Sequence, residues 1–358
     1  MKKLKVGILG GSGMVGQRFI QLLENHPWFE VVVVAASPRS AGKKYEDAVS
    51  GKWKMDMPIP AHVKTLQVKS VEGDMENIAK QVDFVFSCLD MEKEDIKQIE
   101  EAYAALNVPV VSNNSAHRWS EDIPMIIPEI NPKHVKLIDI QRKNRGWSKG
   151  LIAVKPNCSI QSYVSILSAL KNFKPQKVHV VSMQAISGAG KIFKDWPEMV
   201  DNVIPLIVGE EEKSEKEPLK IWGEIKNGKL HIAQNPRISA VCIRVPISNG
   251  HMASVSVSFK KNPSKEQMLE SIKKFGSPMA KLHLPSAPKE FIHYFEEENR
   301  PQSKLDRDFE NGMGISMGRL QKDKHFDWKF VALSHNTIRG AAGGAILLAE
   351  LLVKKGYI

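Results

Sequence analysis

The amino-acid sequence predicts an α/β protein in two parts, a doubly wound parallel sheet followed by a mixed α+β domain. Short apolar segments alternate with helical segments over residues 1–150, which is typical of a parallel sheet covered on both faces. From His251 a later segment alternates serine with apolar residues, as an antiparallel strand with one buried face does. With 358 residues, 42% of them hydrophobic, the chain can bury a full core and divide into domains at 1–150 and 151–337.

Composition narrows the possible partners. Lys and Arg outnumber Asp and Glu by 51 to 40, but the basic residues are scattered and no aromatic-interleaved stripe appears, so we expect no nucleic-acid partner. The three cysteines, Cys88, Cys158 and Cys242, are widely spaced and no His cluster has metal-ligand spacing, which favours a reducing cytosol and no metal. We expect no signal peptide and no membrane span, and therefore a soluble cytoplasmic protein.

The first strand, at residues 4–9, runs directly into a glycine-rich turn and a helix that carries Phe19, Ile20 and Leu23. The glycines have the spacing G-x-x-G-x-x-G, a variant of the fingerprint of Rossmann-type domains. Such a turn lets the backbone approach a pyrophosphate at the helix N-terminus. The predicted cofactor-binding residues of this turn are Gly10, Ser12, Gly13, Met14, Val15 and Gly16.

The second strand, Val31 to Ala35, ends where NAD-binding folds place an acidic residue for the ribose 2′-hydroxyl. Here the chain has Ser37, Arg39 and Ser40 instead, two hydroxyls and a guanidinium that would bind a 2′-phosphate. This favours NADP(H) over NAD(H), although an ordinary turn with a surface arginine stays open.

Further strand and helix segments continue the parallel pattern. A buried strand ends at Ser87, a helix runs from Glu92 to Ala105, and the next strand leads into a loop that contains Arg118. Ligands of such sheets gather at the carboxyl ends of the strands, so Ser87 is a candidate for the cofactor and Arg118 for an anion. A surface arginine is the commoner alternative.

The stretch from Lys155 to Gln161 surrounds Cys158 just before a predicted helix, with Asn157 or Ser159 as possible caps. A helix N-terminus would lower the pKa of the thiol towards neutrality and could stabilise an oxyanion. The alternative is a small buried core cysteine.

The second half carries several polar motifs on predicted elements. A strand ends at Gln184 before a small-residue turn, and the charge run at residues 210–213 opens a helix that could equally be a solvated face. A strand that contains Arg244 is followed by a turn at residues 248–250 and by the strand that begins at His251. We expect these two strands to pair antiparallel, which places Arg244 and His251 at one end of the sheet.

Five motifs, in this order along the chain, resemble those of the aspartate-semialdehyde dehydrogenases, most closely the archaeal and fungal branch. They lie at residues 155–161, 184–190, 210–213, 244–251 and 336–344. The resemblance implies an NADP domain, a glyceraldehyde-3-phosphate-dehydrogenase-like catalytic and oligomerisation domain, a C-terminal helix within 338–358 that packs back on the first domain, and a homodimer or homotetramer.

The resemblance also implies roles for single residues. Cys158 would be the acylated nucleophile, His251 the acid/base and Gln184 the group that orients the acyl chain. Arg244 and Glu210 would bind the carboxylate and amino group of the substrate. Arg118, Asn157 and Lys213 would hold its phosphate. Ser187, Gly188 and Asn336 would line the nicotinamide.

The implied reaction is the NADPH-dependent reductive dephosphorylation of L-aspartyl-4-phosphate to L-aspartate-4-semialdehyde through a Cys158 thioester, in the biosynthesis of Lys, Thr, Met and Ile. Sulfur suits both halves of it, as nucleophile and as leaving group, and an imidazole with a pKa near the operating pH can carry the proton. One alternative is malonyl-CoA reductase on the same scaffold, which has no amino group for Glu210 to bind. Another is a redox-sensing repressor, which would need a helix-turn-helix segment that the sequence does not supply.

Overall fold

The computed structural model describes residues 2–358, and the first part of this range is built on a parallel sheet. Within these residues its six strands are β1 Leu4–Leu9, β2 Phe29–Ala36, β3 Lys69–Ser70, β4 Phe84–Ser87, β5 Val110–Ser112 and β6 Ile152–Val154. They lie in the order β3-β2-β1-β4-β5-β6, and every neighbouring pair is parallel. The predicted doubly wound sheet is confirmed.

Helices cover both faces of this sheet. They are α1 Met14–Leu23, α2 Tyr45–Ala48, α3 Ala61–Lys64, α4 Met75–Ala79, α5 Lys93–Ala105 and α6 Leu137–Arg145. Successive residues of β1 point to opposite faces, so Ile8 packs in one hydrophobic cluster with Phe19 of α1, while Leu9 packs in the other with Ile99 of α5. Because both faces are buried, the strands are nearly continuous apolar runs rather than alternating ones.

The second sheet is mixed. Within residues 2–358 it contains β7 Pro175–Gln184, β10 Arg237–Arg244, β11 His251–Phe259, β12 Ile292–Phe295, β13 Ile315–Lys322 and β14 Trp328–Ser334. A separate hairpin is formed by β8 Glu224–Lys226 and β9 Lys229–His231. The helices of this part are α7 Gln161–Ala169, α8 Glu210–Ile221, α9 Lys265–Phe275 and α10 Ser303–Asp306, and the chain closes with α11 Ala342–Lys354.

The expected hairpin between β10 and β11 is wrong. The sheet order is β10-β7-β11-β14-β13-β12, so β7 lies between them, parallel to β10 and antiparallel to β11. The alternating pattern fixes which face of a strand is buried but not which strand is its neighbour. Arg244 and His251 still lie at one end, because Arg244 pairs with Gln184 and Met252 pairs with Met183.

The domain boundary predicted at residue 150 falls one strand early. Strand β6 pairs with β5 and completes the first sheet, so the first domain extends through Val154. Helix α11 then returns to this domain and packs against α1, where Leu348 and Leu352 share a cluster with Ile8 and Phe19. The last helix of the chain is thus part of the core of the first domain.

We expect Leu348→Ala to lower the free energy of unfolding by about 2–5 kcal/mol, because Leu348 is fully buried and the substitution leaves a cavity. Urea denaturation would measure the change. Lys354→Ala, at the exposed end of the same helix, is the matched control and should change it by less than about 0.5 kcal/mol. Equal effects of the two substitutions would contradict the packing of α11 on the first domain.

Candidate active site

Cys158 lies in the turn that joins β6 to α7, three residues before the helix begins at Gln161. Asn157 shapes this turn, since its Oδ1 accepts from the backbone N–H of Ser159 at 2.9 Å and its carbonyl accepts from Gln161 Nε2 at 2.9 Å. The helix N-cap is Ile160 and has no side-chain cap, so the expected capping by Asn157 or Ser159 is wrong. The half-buried Sγ of Cys158 lies 3.5 Å from Nε2 of His251.

The expected lowering of the thiol pKa is also wrong for this structure. Burial raises the pKa of Cys158, and the Glu210 carboxylate raises it further, while the cations Lys155, Arg118 and Arg244 lower it. The half-buried sulfur lies three residues before α7 and has protein on most sides, so the low-dielectric surroundings outweigh the helix N-terminus.

His251 is held as a neutral imidazole. Its pKa lies well below the ordinary value because of burial and of the nearby charges on Arg244, His335 and Lys155, so it is not near the operating pH as expected. The N–H of Ala185 donates to Nδ1 at 3.1 Å. With Nδ1 accepting, the neutral ring carries its proton on Nε2, the nitrogen that faces the sulfur. This tautomer is suited to donate a proton towards the reacting atoms.

The sulfur opens into a cleft of about 270 Å³ between the two domains. Its lining includes many of the residues predicted from the sequence: Val15, Arg118, Asn157, Cys158, Ser187, Gly188, Glu210, Lys213 and Asn336. Asn336 is held in place because its Nδ2 donates to Ser187 Oγ and its Oδ1 accepts from the N–H of Gly250, both at 2.8 Å.

Of the three consecutive glutamates at the start of α8, Glu210 faces this cleft. Its carboxylate accepts from Lys213 Nζ at 2.8 Å, from Asn157 Nδ2 at 2.9 Å and from Gln184 Nε2 at 3.4 Å. Glu211 instead accepts from the backbone N–H of Cys242 on β10. Glu212 pairs with Lys216 on the exposed face of α8. Of the three glutamates, Glu210 is therefore the one that lines the cleft together with Lys213.

Arg244 presents a cation to the same region. One guanidinium N–H donates to the carbonyl of Ala185 at 2.6 Å, and within residues 2–358 no carboxylate oxygen lies within 4.0 Å of it. Gly188 packs against it so closely that an added Cβ would lie 2.8 Å from Arg244 Nη1 and 3.0 Å from His251 Cε1. Because residue 188 has no side chain, the Arg244 guanidinium and the His251 ring can both pack against its backbone.

Arg118 lines the cleft but is already bonded. It pairs with Glu217 at 2.9 Å and donates to the carbonyls of Lys155 and Asn113. Glu217, which also accepts from the N–H of Asn157 at 2.6 Å, was missed from the sequence. Its position two helical turns after Glu210, on the same face of α8, is the signal that could have found it. Lys155 was missed as well, although a lysine directly before Pro-Asn-Cys in an apolar setting is a visible anomaly.

The glycine turn has the geometry that a pyrophosphate needs. Gly10 has φ +88°, which favours glycine, and a Cβ on Gly16 would lie 2.5 Å from the carbonyl oxygen of Gly10. Gly13 is the N-cap of α1 and gives no side-chain cap, so the first N–H groups of the helix stay available to an anion. The carbonyl of Ser12 accepts from Gln17 at 3.0 Å, which fixes the turn.

The two other cofactor predictions have different outcomes. Ser37, Arg39 and Ser40 form an accessible turn at the end of β2, and in the described part of the chain Arg39 has no carboxylate partner. Ser87 lies at the end of β4 as expected but is fully buried, and its hydroxyl accepts from Asn114 Nδ2 at 2.9 Å. The prediction that Ser87 binds the cofactor is therefore wrong. Its buried hydroxyl instead supports the loop that contains Asn114. No group of three or more His, Cys, Asp or Glu in residues 2–358 is placed to hold a metal ion.

Comparison with known proteins gives two family matches that together span most of the chain. Residues 5–138 match the semialdehyde dehydrogenase NAD binding domain, and residues 167–339 match the semialdehyde dehydrogenase dimerisation domain. The aspartate-semialdehyde dehydrogenase of Archaeoglobus fulgidus is 43% identical over 99% of this chain and 100% of its own, and that of Schizosaccharomyces pombe is 42% identical over 99% of both. This chain belongs to the aspartate-semialdehyde dehydrogenase family.

Solved structures agree with the assignment to aspartate-semialdehyde dehydrogenases. The Candida albicans enzyme, in a crystal structure described as being with NADP, has a TM-score of 0.88 and 37% identity over 100% of both chains. An enzyme from Vibrio cholerae, at 24% identity and a TM-score of 0.75 over 98% of this chain and 99% of that one, shares the fold. The resemblance inferred from the sequence motifs is confirmed, and the chain is an oxidoreductase of this family.

We expect Gly188→Ala to lower kcat/KM for the reaction of this family by about 100-fold, because the added Cβ displaces Arg244 and the His251 ring. Steady-state kinetics would measure the loss. Ala189→Ser, at the next and exposed position, is the matched control and should keep nearly full activity. If the Gly188→Ala enzyme were as active as the control, the tight packing of Gly188 would have no role in the site.

Proposed function

We propose that this protein catalyses the NADPH-dependent reductive dephosphorylation of L-aspartyl-4-phosphate to L-aspartate-4-semialdehyde through a thioester on Cys158. Membership of the aspartate-semialdehyde dehydrogenase family supports the substrate class. The observation that carries the proposal is the Cys158 sulfur 3.5 Å from His251 Nε2, in a cleft that Glu210 and Lys213 also line and beside which Arg244 packs against Gly188. A nucleophile, a proton donor and charges of both signs meet there.

The charges of the cleft match the substrate. Arg244 has no carboxylate partner in the described chain and would bind the α-carboxylate of the aspartyl group in a charge-assisted pair. Glu210 would bind the ammonium group. Lys213 and Asn157 would hold the phosphate, and Arg118 would join them while it keeps its bond to Glu217. Gln184, whose amide reaches Glu210, would orient the acyl chain.

The protein groups then perform a substitution at the acyl carbon. The Cys158 thiolate attacks the acyl phosphate, the carbon–oxygen bond to phosphate breaks, and a thioester remains. Nε2–H of His251, which faces the sulfur at 3.5 Å, can donate to the oxygen that gains charge. Bound NADPH would supply the hydride that reduces the thioester. Cys158 leaves as thiolate, which returns the sulfur to its starting state.

The N-terminal domain fits a dinucleotide phosphate. The positive φ of Gly10 and the uncapped N-terminus of α1 form a cradle for the pyrophosphate. The accessible Ser37, Arg39 and Ser40 would bind the 2′-phosphate, which supports NADPH over NADH, and the relative from Candida albicans is described with NADP. Ser187, Gly188 and Asn336 on the far side of the cleft would line the nicotinamide.

The dimerisation domain that matches residues 167–339 indicates that the protein forms oligomers. We propose a homodimer or homotetramer that acts in the biosynthesis of Lys, Thr, Met and Ile. A cytoplasmic location, inferred from cysteine usage, stays a prediction. In residues 2–358 no helix has the length and apolarity that a membrane crossing requires.

The decisive assay compares phosphate-dependent NADP reduction by aspartate semialdehyde with malonyl-CoA-dependent NADPH oxidation. We expect the first activity, and we expect Cys158→Ala to abolish it while NADP binding is retained, because the nucleophile is removed and the first domain is untouched. Cys242→Ala, a buried cysteine on β10, is the matched control and should stay active. Activity with malonyl-CoA alone would assign the chain to the alternative reductase.

We expect Arg39→Ala to raise KM for NADPH about tenfold or more and to leave KM for NADH nearly unchanged, because only the phosphorylated ribose gains a charge-assisted bond from the guanidinium. Parallel titrations of the two cofactors on one preparation would measure the difference, with NADH as the internal control. A proportional rise for both cofactors would contradict the assignment of Arg39 to the 2′-phosphate.

A further inference from the structure

Lys155 is a buried cation that the proposed reaction does not use. Its side chain is 3% exposed, and its Nζ donates to the carbonyl of Pro156 at 2.6 Å. Across residues 2–358 no carboxylate oxygen lies within 4.0 Å of this nitrogen. A charged amine removed from water without an ion-pair partner is costly, so its position calls for a second group that gains from the charge.

The neighbour that could gain is the thiol of Cys158. Both side chains pack against the start of the C-terminal helical segment, one turn apart. A Cβ on Gly340 would lie 2.7 Å from Cys158 Cβ, and a Cβ on Gly344 would lie 3.0 Å from Lys155 Cε. These two glycines let Cys158 Cβ and the lysine stem approach the same segment four residues apart.

The other charges around the sulfur already have partners or assigned ligands. Glu210 opposes ionisation of the thiol. Arg118 is paired with Glu217, and Arg244 is the cation proposed for the substrate carboxylate. His251 is held neutral by the Ala185 N–H. Around Lys155 itself, the charges of Cys158 and Glu217 favour the ammonium form while Arg118 and Arg339 oppose it.

We propose that the Lys155 ammonium is the buried positive charge that stabilises the thiolate form of Cys158 against the cost of burying it, which makes Lys155 a positioning residue for the nucleophile. The inference deepens the proposed function, since it states how the nucleophile of that reaction becomes ionised in a buried site. Burial lowers the pKa of Lys155 to about 7, so the side chain gains or loses its proton near neutral pH. A thiolate beside it favours the charged ammonium form.

The test measures the thiol without substrate, so that it is independent of the reaction assigned to the protein. Alkylation of Cys158 by iodoacetamide is followed from acidic to alkaline pH, and the labelled peptide is quantified by mass spectrometry. We expect Lys155→Met to move the midpoint to higher pH, and each unit of that shift slows alkylation at pH 7 about tenfold. Cys88 and Cys242 in the same samples report folding, because burial raises the pKa of Cys88 to about 12 and of Cys242 to about 11.

Three further variants separate charge from packing. Lys155→Gln can still donate to the Pro156 carbonyl but has no charge, and should shift the midpoint as Lys155→Met does. Lys155→Arg keeps the charge and should stay near wild type. Lys220→Met removes a cation that is equally buried, at 3% exposed, but does not act on the thiol, and should leave the midpoint unchanged.

Two results would overturn the proposal. One is an unshifted midpoint in folded Lys155→Met or Lys155→Gln protein, which would show that the charge of Lys155 does not act on the thiol. The other is an equal shift in the Lys155→Arg variant, which would show that packing rather than charge sets the midpoint. Loss of aspartate-semialdehyde activity alone would bear on the reaction, not on Lys155.

Discussion

The site depends on the close packing of the segment after β14 against the turn that carries Cys158. Gly340 lies against the nucleophile and Gly344 against Lys155, with spacing that admits no larger side chain. Asn336, four residues before Gly340, ties the same segment to Ser187 and Gly250 on the other wall of the cleft. Residues 336–344 therefore contact the turn that carries Cys158, the turn at residues 185–190 after β7, and Gly250 just before β11.

The charges around Cys158 are unusual for a cysteine nucleophile. The imidazole that faces the sulfur accepts a backbone N–H on its other nitrogen, which disfavours the imidazolium form. The surrounding cations are then the charged groups that stabilise a thiolate. The neutral imidazole keeps a proton on Nε2 that it can donate to an oxygen atom. Glu217 extends the same arrangement, because it orders Arg118 and the Asn157 backbone without meeting the sulfur.

Much of this could be predicted from the sequence, and the limits have physical causes. Local signals were sufficient for the glycine-rich turn at residues 10–16 and for Cys158 beside a helix, whereas Glu210 was singled out by the family resemblance. Contacts that depend on strand order were not available, so β7 was not expected between β10 and β11. Burial was the other missing quantity. Because Ser87 is buried, it supports a loop instead of binding the cofactor. Burial also raises the pKa of Cys158, where a lowered pKa was expected, and it lowers the pKa of Lys155.

The placement of α11 has a consequence for the order in which the protein can assemble. The apolar residues of this helix complete the core of the first domain, although more than 180 residues separate it from β6. A domain usually folds as its residues leave the ribosome, N-terminal part first. Here the first 154 residues cannot complete their hydrophobic core until α11 has been synthesised. The cradle for the cofactor and the nucleophile turn consequently mature together, only after α11 has been synthesised.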